Sequence, residues 1–237
     1  MSATYSSYLR LDELLALQQP RPGELEHDET LFVIIHQVYE LWFKEVLHEM
    51  DYLQQRLRAN DTALAGATLK RILTILKTLV AQIDVLETMT PLNFLSFRDR
   101  LESGSGFQSQ QFREIEALLG KKTRPSRRSN EPTLWDAFLY YLAANGYPVP
   151  KEPPQPSPAV QKILIDVYRK NHLVTQIAER FVDLDEGFME WRYRHVKMVQ
   201  RTIGTKAGTG GSAGAEYLLT TLNQPAFPDL WAIRSEL

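Results

Sequence analysis

Two of the chain's five histidines interrupt apolar helical stripes, and they are the residues best suited to chemistry. His36 falls between Phe32 and Tyr39, and His195 between Trp191 and Met198. Spacings of three and four keep both on an apolar face. An imidazole there can ligate a metal, exchange a proton, or hydrogen-bond to a carbonyl as an ordinary core residue. For any single histidine the last is the commoner fate. Two on separate buried helices, beside a glycine-rich loop, tilt the balance toward a site. His27 stands in a charged helix start, His172 follows Arg169 and Lys170, and His48 shares a polar face with Lys44, Glu45 and Glu49. These three carry no sign of a site.

Other groups are weaker candidates. Gly208–Gly214 (GTGGSAG) lacks the phosphate-binding Gly-x-x-x-x-Gly-Lys pattern, and no strand precedes it. It reads as a surface turn or as a loop whose backbone approaches a ligand, with the Thr209 hydroxyl available. Arg98, ahead of Gly104–Ser105–Gly106, can clamp a carboxylate bidentately or pair with Asp99 or Glu102. The second option is favoured by spacing alone. Glu45–His48 and Glu24–His27 fit the Glu-x-x-His spacing of di-iron bundles, but one lies on a polar face and the other in a Pro/Gly approach, so a di-iron centre is rejected.

The elements that must position these residues read as helices, without alternating strand patterns. Asp28 to Arg58 forms one long helix, with Phe32, His36, Tyr39, Phe43, Val46, Met50 and Leu53 on one stripe and Leu31, Ile35, Val38 and Trp42 beside it. Asn60 or Asp61 caps a second helix running to Met89, and Pro91 ends it. Asn93 to Gly106 reads as a short, mixed, shaped loop. Helices follow over Ser109–Leu119, Pro132–Asn145, a stretch from Ser157 that breaks near Asn171, and Val174–Ile203. Gly120, Gly146 and Gly204 stop three of them. Lys121 to Glu131 (KKTRPSRRSNE) reads as a solvated, mobile loop, and Pro148–Pro158 as a link within the domain. A short helix over Ala215–Leu222 and one more turn in the tail complete an all-α architecture of long antiparallel helices with short accessory ones, in a single domain spanning residues 1–237.

Composition narrows the function. With 237 residues and 43% hydrophobic content the chain can bury a sizeable core. A net charge of −2 argues against general nucleic-acid or membrane-surface binding. The absence of cysteine excludes disulfides, thiolate catalysis, iron–sulfur clusters and thiolate-ligated haem. No signal peptide or transmembrane run is visible, so a cytoplasmic location is expected.

Six segments resemble the tryptophan 2,3-dioxygenase family: Ser7–Leu15 (SYLRLDELL), His27–Phe32 (HDETLF), His36–Lys44 (HQVYELWFK), Ser105–Arg113 (SGFQSQQFR), Trp191–Lys197 (WRYRHVK) and Gly208–Gly214 (GTGGSAG). Each is weak alone; together and in order they are specific. The resemblance implies an all-helical enzyme with haem b, usually a homotetramer, that inserts dioxygen across the indole C2–C3 bond of L-tryptophan to give N-formylkynurenine. It implies that His195 is the axial ligand of the haem iron, with Trp191, Ser105 and Gly106 also at the cofactor. His36 would be the catalytic distal residue that meets the indole N–H. Phe32 would pack on the indole, Arg98 hold the carboxylate, and Thr209 lie near the ammonium and carboxylate. Tyr5, Tyr8 and Leu9 would belong to an N-terminal segment, residues 1–27, that completes a neighbouring subunit's pocket. The chain departs from the pattern in a shorter Gly120–Phe181 region and in Phe94, where some bacterial members carry tyrosine. Two alternatives remain open: a biosynthetic relative placing one oxygen in a substituted tryptophan or indole, and a non-catalytic haem binder.

Overall fold

The computed structural model describes residues 2–19, 26–121, 125–209, 219–220, 222 and 224–237. Two short helices, α1 (Tyr5–Leu9) and α2 (Leu11–Leu15), come first. A capping box between Thr4 and Ser7 starts α1, and neither helix has a buried residue. Two amide contacts tie the segment to the first long helix: Gln18 Nε2 donates to Gln37 Oε1 (2.6 Å), and Gln37 Nε2 to the Leu17 carbonyl (3.2 Å).

Three long helices carry the body. They are α3 (His27–Arg58), α4 (Thr62–Leu86) and, near the C-terminus, α9 (His172–Ile203). Asp61 caps α4 by accepting from the Leu64 N–H, and α4 ends three residues before the expected Met89. The helix α4 lies between α3 and α9 and packs extensively on both. Gly187 permits close approach at the α4–α9 crossing, where a Cβ would stand 3.3 Å from Leu76 Cδ1.

Pro91 does more than end a helix. Thr90 caps it and its own missing N–H is harmless at the first helical position, so it opens α5 (Pro91–Phe97), where a loop was expected. Two 3-10 turns come next, Arg98–Leu101 and Gly106–Gln108. Then α6 (Gln110–Leu118) begins on the Ser109 cap, α7 (Leu134–Ala144) on a Thr133–Asp136 capping box, and α8 (Pro158–Lys170) on a proline. Asn171 closes α8 and caps α9, placing the break where the sequence puts it. Gly120, Gly146 and Gly204 all have positive φ at helix ends. The tail holds α10 (Pro228–Ala232) and a 3-10 turn, Ile233–Glu236. The expected helix over Ala215–Leu222 lies largely outside the described residues.

Met50, Leu53, Leu69, Ile72, Leu76, Phe138, Phe181 and Phe227 are fully or almost fully buried in one hydrophobic cluster that runs from Phe43 to Ile233. Residues on both sides of the Pro148–Pro158 link belong to it. A smaller cluster, Ile35, Leu86, Met89, Phe94 and Phe97, sits beside Phe32 and Met198. Two buried aspartates fasten the tail. Asp185 accepts the N–H groups of Ala226 and Phe227 and the indole N–H of Trp231 (2.9–3.2 Å), while Asp229 accepts the Ser157 N–H and the Gln161 amide. Such bonds partner both oxygens of Asp185 and Oδ1 of Asp229, as buried carboxylate oxygens require.

Within the Lys121–Glu131 stretch, Pro125, Arg127, Asn130 and Glu131 are exposed as expected, and Arg128 departs from the expectation. Arg128 is only 16% exposed and pairs with Asp51 and Glu131, because two carboxylates draw it onto the surface of α3. Glu49, read as part of a polar face, is buried and ion-paired to Arg71 (2.7 Å). No helix among the described residues is long and apolar enough to cross a membrane.

Candidate functional site

A cavity of about 510 Å³ opens between the first half of α3, the second half of α9, α6 and the loops after α5 and α9. Its size lies within the range of small-molecule and cofactor sites, roughly 300–1,000 Å³. The amphipathic stripes on α3 and α9 bring their interrupting histidines together, and both His36 and His195 line it.

On α3, His36 Nδ1 lies 2.7 Å from the Phe32 carbonyl, one turn back. A carbonyl can only accept, so Nδ1 carries the proton and Nε2 is left as an acceptor. Burial holds the His36 pKa below the ordinary histidine value. The ring is exposed by surface area only because it walls a cavity, and within the molecule it is deep enough to be desolvated. The Phe32 ring packs on it at 4.0 Å and on Phe94 and Phe97 at 5.8 and 5.5 Å.

On α9, His195 is pushed down to about 4, first by burial and then by His36. It is therefore a neutral imidazole with a lone pair at neutral pH. Trp191, one turn earlier, stacks along it at 5.6 Å and 18°. Phe112, Phe43 and Tyr39 surround that indole at 5.2, 6.1 and 6.3 Å. The Tyr39 hydroxyl donates to the Leu79 carbonyl and, buried, has its pKa raised to about 12. The indole N–H of Trp191 is buried without a well-formed hydrogen bond, although it lies close enough to Tyr39 to oppose that rise.

The loops close one side. Arg98 lines the cavity and donates to the Ala207 carbonyl; it pairs with neither Asp99 nor Glu102, the partners that spacing favoured. Thr209 donates to the Gly104 carbonyl at 2.6 Å, so the two loops are clipped together at both points. Ser105 and Gly106 are also in the wall. Ser105 starts the Gly106–Gln108 turn by accepting from the Phe107 N–H. A Cβ on Gly106 would meet no protein atom within 4 Å, so its backbone borders open space. Residues 210–214 of the glycine-rich loop lie outside the described residues.

Tyr5, Tyr8 and Leu9 are not brought to the cavity. They are 78%, 79% and 43% exposed on the surface of this one chain. Conversely, the wall includes charged residues that sequence reading did not select. Lys121 lines the cavity, as do Arg192 and Glu116, which form a buried ion pair at 2.7 Å. Arg192 lies within the WRYRHVK segment and could have been flagged there; nothing local marks Lys121.

The walls are mainly apolar and aromatic. Among the described residues no group of three or more histidine or carboxylate side chains is placed to hold a metal ion. A single neutral imidazole suits instead an iron that brings its other in-plane ligands with it, as a porphyrin iron does. The flat aromatic walls and the open backbone at Gly106 suit the same group.

The tryptophan 2,3-dioxygenase family model matches residues 1–136 and 158–237 of this chain. Among curated proteins, a tryptophan 2,3-dioxygenase of Herpetosiphon aurantiacus is 60% identical over 256 residues, covering 99% of this chain and 98% of that one. One of Anaeromyxobacter sp. strain K is 56% identical (99% and 96% covered), and one of Caulobacter vibrioides 40% (99% and 98%).

Proposed function

The chain belongs to the tryptophan 2,3-dioxygenase family, and on that premise we propose that it is a haem-dependent dioxygenase that opens the indole C2–C3 bond of L-tryptophan to give N-formylkynurenine. The observation that carries the reading is a neutral imidazole, His195, in the wall of an aromatic cavity that also holds His36. Both atoms of dioxygen enter the product and no outside reductant is consumed.

Haem b, held by His195 with Trp191 stacked beside it and Ser105 and Gly106 at its edge, would supply dioxygen activation. The chain's own residues bind and orient. His36, with its proton committed to the Phe32 carbonyl, offers Nε2 to the indole N–H. Phe32 packs against the indole. Arg98 turns its guanidinium from the Ala207 carbonyl to the substrate carboxylate, a stronger acceptor because it is charged. The Thr209 hydroxyl sits next to that end, on the loop that Arg98 ties down. Fixing both ends of the amino acid sets the indole's position, which is what orientation contributes to rate. Aromatic walls keep bulk water from the reacting ring.

The N-terminal residues Tyr5, Tyr8 and Leu9 are proposed to complete a neighbouring subunit's pocket within a tetramer. Large side chains left exposed on the surface of their own chain are the support for this. A cytoplasmic location is in keeping with the absence of a membrane-crossing helix among the described residues.

The test is a visible spectrum of protein reconstituted with haem, then turnover of L-tryptophan under labelled dioxygen. A Soret band and a product carrying two labelled atoms are expected. One labelled atom would point to the monooxygenating relative, and no turnover of any indole to a haem binder. His195→Ala should abolish the axial signature; a variant that keeps both pigment spectrum and turnover overturns the reading.

A further inference from the structure

Three charged residues of the cavity wall, Lys121, Arg192 and Glu116, have no role in the reading above. Helix α6 ends in a Schellman motif: the Gly120 N–H bonds the Ala117 carbonyl (3.0 Å), and the Lys121 N–H reaches back to the Glu116 carbonyl (2.8 Å). Gly120, at φ +80°, makes the reversal possible. This turn sets Lys121 into the cavity wall, where its ammonium donates to the Gln224 carbonyl.

An ammonium has three donors, and Gln224 takes one. Among the described residues no carboxylate forms an ion pair with Lys121. The nearest acids are otherwise engaged, Glu116 with Arg192 and Asp185 with the tail's N–H groups. Burial and the neighbouring Arg192 charge push Lys121 down to about 8, against the opposing pull of Asp185 and Glu116. A cation so placed in an apolar cavity favours an anionic ligand.

We propose that Lys121, backed by Arg192, binds a propionate carboxylate of the porphyrin and so sets which way round the macrocycle enters the cavity. The inference rests on the haem reading. The same chemistry would suit the carboxylate of the amino-acid substrate, but Arg98 and the loop it ties already offer that end a cation of its own. A porphyrin brings two carboxylates on one edge, and Lys121 lies at the end of α6, apart in sequence from the Arg98 loop.

The experiment titrates apoprotein with haem and with haem dimethyl ester, which lacks the carboxylates, monitoring the Soret band without tryptophan. Lys121→Met and Lys121→Gln are compared with the natural chain, and their apoprotein melts check folding. The natural chain is expected to prefer haem over the ester by about tenfold or more, the scale of one charge-assisted bond. Both variants should bind the ester as the natural chain does and lose most of that preference. Retention of the full preference in both variants overturns the proposal. Where the preference is retained, a separate titration of the haem-loaded variants with L-tryptophan that shows weakened affinity would give the carboxylate to the substrate. If neither porphyrin produces a Soret band in the natural chain, the haem reading itself falls, and this proposal with it.

Discussion

His36 and His195 could be singled out from spacing because each breaks an apolar stripe, and a polar group on a buried face must find a partner or a purpose. What spacing could not give was their meeting, which requires α3 and α9 to be packed around one cavity. Nor could it assign Arg98, whose sequence neighbours offer carboxylates within reach while the folded loop turns it to Ala207. If Arg98 holds the substrate carboxylate, Arg98→Ala should cost about 2–4 kcal/mol in L-tryptophan binding or kcat/KM. Tryptamine, which has no carboxylate, should lose little; equal losses for both would remove the clamp. At His36 the acceptor Nε2 predicts discrimination against 1-methyltryptophan. His36→Ala should narrow that discrimination by about tenfold, the net worth of one hydrogen bond, as read from paired kcat/KM values. Lys121 predicts a pH effect on the apoprotein. Between about 8, its folded value, and its ordinary 10.5, the unfolded chain holds more protons, so this group raises stability as pH rises through that window. Below pH 8 both states are charged and the cost is constant. Lys121→Met removes the cost, so urea midpoints should show its advantage at pH 7 shrinking by pH 10.

Helices were legible because capping residues, periodic stripes and terminal glycines agree with one another. Asn171 is an instance: one side chain ends α8 and starts α9, and the sequence breaks there. The opening of α5 was missed because proline was read only as a terminator, although Thr90 ahead of it is a cap. The Glu116–Arg192 pair was missed for another reason. On α6 and α9 alone each residue looks solvated, and only the packing of the two elements buries them at 7% and 8% exposure. That pair fastens α6 to the helix carrying His195. Glu116→Ala takes this carboxylate away from a buried guanidinium and is expected to cost about 3–5 kcal/mol by urea denaturation. Replacing both with a matched apolar pair, Glu116→Leu with Arg192→Met, should cost much less. A double variant as unstable as the single one would mean the pair matters for more than its charge.

At the scale of the whole molecule, the helical body and the N-terminal segment behave differently. No residue of α1 or α2 is fully buried in its own chain, so deleting residues 2–19 should leave the melting temperature of the body within about 2 °C, since little stability is removed. If the segment completes a neighbour's pocket, the same deletion should lower kcat/KM severalfold and weaken assembly on size exclusion. Unchanged turnover per subunit would refute that role. None of this was legible from periodicity, because an apolar surface that faces another copy looks like one that faces a core.

Helix α9 carries Asp185, Arg192 and His195 within eleven positions, with no break between them. Each added residue in an α-helix rotates the remainder of the helix by about 100° and advances it by about 1.5 Å. One inserted or deleted residue between 185 and 195 would therefore aim the imidazole away from the cavity while leaving the tail's anchor where it was. Over evolutionary time this stretch can tolerate exchanges of side chain but not changes of length.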